Sequence, residues 1–204
     1  MISKYSYGVN TCKSQKNNVI ERFKNDCAEE IRADLDTRRG DLVTICENLD
    51  YNINIGSVIR SNNAFLGKAV YITGRRRFDR RGTVGTTHLE HVYHADTTQE
   101  VIEMLREKGY CIFAVDNIAK YNPVNLAKYE FIPCKSAFVF GNEGDGLKEE
   151  TIKLCDKVCY IQQFGSVRSL NVSQAAAIIQ YEYTIRYFSE PEKISLDLPI
   201  GSMI

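Results

Sequence analysis

Tryptophan is absent from this sequence of 204 residues, and proline is rare, at four residues. An excess of charge is absent too, because 26 lysines and arginines balance 26 aspartates and glutamates. Global charge therefore gives no reason to expect nucleic acid as a partner, and any attraction to phosphate has to be local. With 44% hydrophobic and 25% charged residues, the composition excludes disordered, collagen and coiled-coil classes for the bulk of the chain.

Long apolar runs are also lacking. No stretch approaches the roughly 18 consecutive apolar residues that a membrane span needs, and the opening segment MISKYSYGVNTCKSQ lacks the apolar core of a signal peptide. The seven cysteines are scattered and form no CxxC pair, which favours free thiols in a reducing compartment. We therefore expect a cytoplasmic protein with no membrane partner.

Short β-prone runs alternate with helical patterns through most of the chain. We expect strands at 42–46, 69–73, 110–115, 136–140 and 157–161, and helices at 14–39, 54–66, 97–108 and 171–188. Such alternation predicts an α/β fold with a mostly parallel sheet flanked by helices. The predicted organisation is a helical arm over 1–39, one α/β domain over 40–188 and a tail over 189–204.

A local excess of positive charge follows the second predicted strand. Five arginines fall within seven residues whose only acid is Asp79: Arg75, Arg76, Arg77, Arg80 and Arg81. One interpretation is a solvated basic loop. The other is a surface that binds a phosphate backbone, for which the planar guanidinium is well suited.

Ligands of open α/β sheets bind beyond the carboxyl ends of the strands, which directs attention to the loops there. After the strand ending at Phe140 comes the run Gly141-Asn142-Glu143-Gly144-Asp145-Gly146. Its spacing matches neither the dinucleotide fingerprint nor a P-loop. The two acids disfavour phosphate and favour a ligand with hydroxyls or a cationic centre, although such a glycine turn can also be purely structural.

Two further loops carry polar side chains at helix starts. Ser169 and Asn171 precede the long final helix and stand where N-cap residues stand. Asn54 is a possible cap for an earlier helix, and Arg60 lies on a face of that helix away from Ile55 and Ile59. The structural alternatives are helix capping for the polar residues and a surface arginine for Arg60.

The three histidines do not predict a metal site. A helix would bring His88 and His91 together but not His94, and a strand would bring His88 and His94 together but not His91. The zinc motif HExxH and the nucleophile motif GxSxG are both absent from the sequence. We therefore expect no metal.

Taken together, three segments resemble motifs one, two and three of the SpoU/TrmH family of SPOUT RNA ribose 2'-O-methyltransferases. The segments are Asn54-x-Gly56-x-x-x-Arg60, FVFGNEGDGL over 138–147, and SLNVS over 169–173 preceded by IQQFGSVR. They occur in the family's order and near its spacing, within residues 42–187. The resemblance implies a sheet whose C-terminal part forms a trefoil knot, a homodimer, S-adenosylmethionine as cofactor and tRNA or rRNA as substrate.

The resemblance also assigns roles by position. It implies that the catalytic residues are Arg60, Asn54, Glu143, Ser169 and Asn171. It implies that the cofactor is bound by Phe140, Gly141, Asn142, Gly146, Ile161, Gln162 and Leu170, largely through backbone groups. RNA docking is expected to fall to Arg75, Arg76, Arg77, Arg80 and Arg81, together with the arm and the partner subunit.

Arg60 is the family's main catalytic candidate. Because a guanidinium is effectively never deprotonated in proteins, we interpret Arg60 as an electrostatic positioner rather than a base. It would clamp the adjacent phosphate and stabilise charge on the ribose oxygen, with proton removal left to phosphate, water or a serine. Where many family members have Pro-Met or Pro-x, this sequence has Gln162-Gln163, which predicts a less rigid cofactor loop.

Two alternatives to an active methyltransferase remain. One is a SPOUT-fold protein that binds RNA or assists ribosome assembly and has lost catalysis, against which the intact motif residues argue. The other is a nucleotide-dependent oxidoreductase, which the missing G-x-G-x-x-G motif and the acids of the glycine loop disfavour. The substrate interpretation favours tRNA slightly over rRNA, because the chain has no separate RNA-binding domain.

Overall fold

The structure, a computed structural model, describes residues 1–5, 19–74, 77–129 and 135–187. Its strands are β1 Ser3–Lys4, β2 Leu42–Glu47, β3 Ala69–Thr73, β4 Val92–Ala95, β5 Cys111–Val115, β6 Val124–Asn125, β7 Ser136–Phe140 and β8 Lys157–Tyr160. Its α-helices are α1 Ala28–Asp36, α2 Asn52–Ala64, α3 Thr98–Glu107, α4 Glu149–Leu154 and α5 Val172–Tyr187. None of these helices has the length and apolar character needed to cross a bilayer.

The strands form one sheet in the order β1-β4-β3-β2-β7-β5-β8-β6. Neighbouring strands are parallel throughout, except that β1 runs antiparallel to β4. The order reverses at β2, since β3 and β4 extend the sheet on one side and β7 begins the other side. The loops after β2, β7, β5 and β8 therefore meet at one edge, where α/β sheets bind ligands.

Helices cover both faces of the sheet, as the alternation of elements predicts. On one face α2 and α5 pack with buried side chains such as Ile59 and Ile179, and on the other α3 and α4 contribute Ile102 and Ile152. Buried Gln180 in α5 donates from Nε2 to the hydroxyl of Thr44 in β2 at 3.1 Å, which fixes α5 across the middle of the sheet. The mostly parallel sheet flanked by helices is therefore confirmed.

Several element boundaries agree with the sequence patterns. The strands expected at 69–73 and 136–140 coincide with β3 and β7. The capping box also forms, because the Thr97 hydroxyl accepts from the Glu100 backbone N–H and α3 ends before Gly109, which has a φ of +81°. Strands β1, β4 and β6 and helix α4 were not expected from the sequence.

The helix expected over 14–39 is wrong in its extent. Residues 14–18 lie outside the described ranges, and a short 3-10 turn at Glu21–Phe23 precedes α1, which begins only at Ala28. The start of α1 is set by Cys27, whose backbone N–H donates to the Glu30 carboxylate at 2.8 Å. Strand β1 belongs to the segment assigned to the N-terminal arm, so that segment contributes an edge strand to the sheet.

A buried ion pair fastens the end of this segment to the α/β domain. Arg39 Nη1 lies 3.0 Å from Glu90 Oε2, and their side chains are 1% and 0% exposed. Asn62 and Asn63, near the end of α2, each donate to the same carboxylate at 2.7 Å. The network holds the carboxyl end of α2 in place, because an unpaired charge at this depth would be costly.

Candidate active site

The loop after β2 and the glycine loop after β7 are joined by hydrogen bonds. Asn142 Nδ2 donates to the Asn48 carbonyl at 3.0 Å. The backbone N–H of Asp50 donates to Glu143 Oε2 at 2.8 Å. These contacts hold the first and second motif segments side by side at the carboxyl edge of the sheet.

Three motif residues form a hydrogen-bonded chain across the site. Asn54 Nδ2 donates to Glu143 Oε1 at 2.6 Å, and Asn171 Nδ2 donates to Asn54 Oδ1 at 3.2 Å. Asn171 Oδ1 in turn accepts from the backbone N–H and the hydroxyl of Ser173, at 2.8 and 2.7 Å. All donors point towards Glu143, which ends the chain as an acceptor.

These contacts decide between capping and site roles. Asn54 does not cap α2, which begins at Asn52; it lies within the first turn with 5% of its surface exposed. Asn171 precedes α5 and accepts from the Ser173 N–H, so it serves as a cap while its other side-chain atom reaches Asn54. Glu143 faces Asn54 and Asp50 rather than standing free for a ligand, contrary to the expectation from its loop.

The glycine loop is tightly folded on itself. Asn142 and Gly146 exchange two backbone hydrogen bonds of 3.1 and 2.9 Å, and the Asn142 side chain accepts from the Gly144 N–H at 2.7 Å. A Cβ at Gly141 would lie 2.3 Å from the Gly146 carbonyl carbon, and Gly146 has a φ of +74°. Both positions therefore require glycine, while Phe140 anchors the loop with 2% exposure.

The loop after β8 contains the remaining expected cofactor residues. Ile161 and Leu170 are half-buried, Gln162 and Ser169 are exposed, and Gln162 is held by its neighbours. Tyr160 donates from its hydroxyl to Gln162 Oε1 at 3.3 Å, and Gln162 Nε2 donates to the Gln163 carbonyl at 2.9 Å. The side chain of Gln162 is thus bound locally.

A fourth loop, after β5, joins the site and was missed by the sequence analysis. Asn117 Nδ2 donates to the Arg168 carbonyl at 3.2 Å. Asp116 Oδ2 lies 3.4 Å from the position of a Cβ at Gly146. The signal was available, because the segment Asp116-Asn117 directly follows a strand expected in the parallel sheet.

The residues at this edge fit S-adenosylmethionine, the cofactor implied by the resemblance. Gly141 and Gly146 leave room for a ligand to approach the backbone closely. The side-chain oxygen of Gln163 is buried and has no hydrogen-bond partner within the described ranges, so an acceptor stands ready for a ligand donor. The carboxylates of Asp116 and Asp145 provide a negative potential that suits a cationic sulfonium.

Arg60 lies on the exposed side of α2, two turns after Asn54. Ile55 and Ile59 on the opposite side are 1% and 0% exposed, as the helical spacing predicts. Within the part of the chain that the structure describes, the Arg60 side chain makes no hydrogen bond or ion pair. Its guanidinium is therefore available to an external anion.

The basic segment is only partly described, because Arg75 and Arg76 lie outside the described ranges. Arg77 is exposed. Arg80 contacts His88 at 3.3 Å, and Arg81 pairs with Asp79 at 2.6 Å, so its charge is locally neutralised. The Arg81 hydrogen bonds hold the pKa of the Asp79 carboxyl below its ordinary value.

A close backbone contact places this basic segment against α2. A Cβ at Gly56 would lie 2.9 Å from both the Asp79 carbonyl oxygen and the Gly82 Cα. A Cβ at Gly82 would lie 2.7 Å from the Ile53 carbonyl oxygen. The two glycines thus bring the basic segment onto the helix that carries Arg60.

The histidines have separate partners. His88 contacts Arg80, His91 Nε2 lies 2.8 Å from Asp36, and His94 Nε2 lies 3.0 Å from the Gly74 carbonyl oxygen. Among the described residues, no group of three potential ligands is arranged to hold a metal ion.

Cys46, at the end of β2, is unsuited to act as a nucleophile. Burial, reinforced by the negative charge of Glu143, raises the pKa of its thiol to about 12. A thiol rather than a thiolate is therefore present at neutral pH.

Comparisons with known proteins agree with this geometry. The sequence profile of the SpoU rRNA Methylase family matches residues 41–181. The chain is 32% identical over 155 residues to the tRNA (guanosine(18)-2'-O)-methyltransferase of Thermus thermophilus, covering 71% of this chain and 75% of that protein. It is 29% identical over 150 residues to the tRNA (guanosine(18)-2'-O)-methyltransferase TARBP1 of Mus musculus, covering 70% of this chain but 9% of that protein.

A solved structure shares the fold. The SpoU methyltransferase AviRb from Streptomyces viridochromogenes, in complex with the cofactor AdoMet, superimposes with a TM-score of 0.65. The two sequences are 23% identical, over 72% of this chain and 61% of that chain. Because the family profile extends from the start of β2 into α5 and includes all three motif loops, the chain belongs to the SpoU rRNA Methylase family.

Proposed function

We propose that this protein transfers a methyl group from S-adenosylmethionine to a ribose 2'-hydroxyl of RNA, with tRNA favoured over rRNA. The observation that carries the proposal is the chain of hydrogen bonds from Asn171 through Asn54 to Glu143, which unites the three motif loops at one edge. The choice of tRNA follows two relatives that are named as tRNA (guanosine(18)-2'-O)-methyltransferases.

The cofactor would be held by the loops after β5, β7 and β8. It supplies the methyl group on a positively charged sulfonium. Backbone groups around Gly141, Ile161 and Leu170 would bind and orient it, and the half-buried setting of the latter two would exclude water. Orientation of this kind contributes several kcal/mol, up to about 7–11 kcal/mol in well-aligned systems.

Arg60 would act on the RNA. Its exposed guanidinium would bind a phosphate next to the reacting nucleotide and stabilise negative charge that develops on the ribose oxygen. Asn54 and Arg60 lie on the same helix, and the Asn54 amide is already fixed by its two hydrogen bonds. The chain of polar contacts would therefore hold the helix that carries Arg60 in register with the cofactor loops.

The remaining RNA contacts would come from the basic segment. Its contact with α2 through Gly56 and Gly82 would extend the cationic surface from Arg60 to Arg77 and Arg80. Because these side chains recognise phosphate rather than base edges, they would position the RNA without specifying its sequence.

We also propose that two copies of the chain associate, and that the C-terminal loops form a trefoil knot. Helix α5 supports association, because Ile178, Tyr181 and Ile185 are 38%, 50% and 52% exposed at helical spacing. Sedimentation equilibrium measures the association directly, and Ile185→Asp should shift it towards monomer. The proposal includes a cytoplasmic location, where free thiols such as those of Cys27 and Cys111 persist.

The experiment that tests the function uses the purified protein, labelled S-adenosylmethionine and unmodified tRNA or rRNA transcripts. Mass spectrometry of nuclease digests should reveal a ribose-methylated nucleotide, with position 18 of tRNA examined first. If the protein binds cofactor and RNA but transfers no methyl group to either RNA class, the inactive RNA-binding alternative replaces the proposal.

A further inference from the structure

Gln163 presents an unsatisfied polar group in the loop after β8. Its Oε1 atom is one of four buried side-chain polar atoms without a partner in the described ranges; the others belong to Arg38, Asn62 and Gln180. Arg38 and Asn62 precede β2 and β3, and Gln180 lies against the middle of the sheet. Among these four, Gln163 alone therefore lies at the edge where the motif loops meet.

The neighbouring glutamine behaves differently. Both polar side-chain atoms of Gln162 are bound locally, one to the Tyr160 hydroxyl and one to the Gln163 carbonyl. The side-chain amide of Gln163 makes no hydrogen bond within the described part of the chain. A buried acceptor left unmatched costs about 1–3 kcal/mol, so a ligand that supplied a donor here would recover that energy.

The surroundings of this loop indicate which ligand reaches it. Through Asn117 and Arg168 the loop is bound to the segment after β5, and Asp116 of that segment adjoins Gly146 of the glycine loop. Gln163 thus belongs to the same cleft as the glycines that fit the cofactor. Its carboxamide offers one acceptor beside one donor, the pattern complementary to an adenine edge, whose exocyclic amine lies beside a ring nitrogen.

We propose that Gln163 recognises the adenine of the bound cofactor, with Oε1 accepting from the 6-amino group and Nε2 donating to the adjacent ring nitrogen. This inference rests on the proposed function. It assigns base specificity to a side chain that stands where many relatives have Met or another residue after proline. A purine with a 6-oxo group would place an acceptor against Oε1 and lose the contact.

The test measures binding by titration calorimetry, using S-adenosylhomocysteine and its 6-oxo analogue S-inosylhomocysteine with the full chain. The unaltered protein should prefer the adenosyl compound at least tenfold, which corresponds to about 1.4 kcal/mol. Gln163→Leu should weaken S-adenosylhomocysteine binding about five- to tenfold and reduce the preference to about twofold or less. Gln163→Met, which keeps the side-chain length, should behave alike and serves if the leucine variant does not fold.

The matched control is Gln99→Leu, the same change at an exposed glutamine on α3, which should keep the tenfold preference. A preference that survives in both Gln163 variants, or one that the unaltered protein never shows, overturns the role of Gln163 while leaving the proposed function intact. Failure of the unaltered protein to bind S-adenosylhomocysteine at all overturns both.

Discussion

Asn54 donates a hydrogen bond of 2.6 Å to Glu143, although 89 positions separate the two residues in the sequence. Glu143 also accepts from the Asp50 backbone N–H, so both carboxylate oxygens are used inside the protein. A group committed in this way acts as a positioning residue, since it holds the first and second motif loops together rather than exchanging a proton with substrate.

The first prediction concerns Glu143→Gln. The variant turns one acceptor into an NH2 donor, which must then face either the Asn54 amide or the Asp50 N–H. We expect the free energy of unfolding to fall by about 1–3 kcal/mol, because a buried donor is left unmatched. Urea denaturation measures the change. The same substitution at exposed Glu107 should alter stability by less than about 0.5 kcal/mol, and equal effects at the two sites would contradict the assigned role.

The second prediction concerns Arg60→Ala. Because Arg60 is exposed and makes no contact inside the described part of the chain, its loss should leave folding and cofactor affinity within a few-fold. Methyl transfer should fall by at least about a hundredfold, as it does when a donor to a developing oxyanion is removed. Single-turnover assays with saturating cofactor and RNA measure the rate. A rate within about threefold of the unaltered protein would exclude Arg60 from the reaction.

How far the fold was predictable depends on burial. The strands β3 and β7 are apolar runs whose five residues are all buried, so their boundaries could be predicted from local sequence. Strand β4 mixes Tyr93 and His94 into a four-residue segment, and β1 and β6 have two residues each, which leaves too little periodicity to recognise. These short strands form because β3 and β8 offer edges to pair with.

The site was predictable as a set of loops but not as a set of contacts. The positions of Asn54, Glu143 and Asn171 follow from their motifs, whereas the direction of their hydrogen bonds depends on side-chain geometry across distant loops. The neutralisation of Arg81 by Asp79 is also invisible in a charge count, because it requires the turn that the 3-10 helix Arg80–Thr83 creates. Local patterns specify elements, and tertiary packing specifies which charges remain available.

The third prediction separates the arginines of the basic segment. Each lost phosphate contact should reduce the slope of log affinity against log salt by about 0.7–0.9. Arg77→Ala should therefore flatten the salt dependence of RNA binding by about that amount. Arg81→Ala should do so less, because its guanidinium is already paired with Asp79. Filter binding across a salt series measures both slopes, and identical slopes for both variants and the unaltered protein would mean that the segment is merely solvated.

The fourth prediction concerns pH. Burial lowers the pKa values of His88 and His91 below their ordinary value of 6.5. The unfolded chain therefore takes up protons at higher pH than the native protein, so these histidines make the free energy of unfolding decrease as pH falls through about 6.5. Urea midpoints at pH 7.5 and 5.5 should differ more in the unaltered protein than in the double variant His88→Gln/His91→Gln. The carboxylates are common to both proteins and cancel, so an unchanged pH dependence would refute this origin.

The fifth prediction tests the contact between Gly56 and Gly82. Alanine in place of glycine within a helix normally stabilises it by up to about 1 kcal/mol. At Gly56 the added methyl would meet the backbone of Asp79 and Gly82 at 2.9 Å, and backbone atoms cannot rotate away. We expect this overpacking, typically about 1–3 kcal/mol, to win, so Gly56→Ala should be destabilising in urea denaturation.

The same variant should weaken RNA binding through geometry rather than charge. Displacing the basic segment from α2 separates Arg77 and Arg80 from Arg60, so affinity should fall about tenfold at low salt, equivalent to about 1.4 kcal/mol. Gly165→Ala is the matched control, because nothing lies within 4 Å of a Cβ there. That variant should retain both stability and RNA affinity. If Gly56→Ala proves as stable and as tight in RNA binding as Gly165→Ala, the basic segment does not depend on the glycine contact for its position.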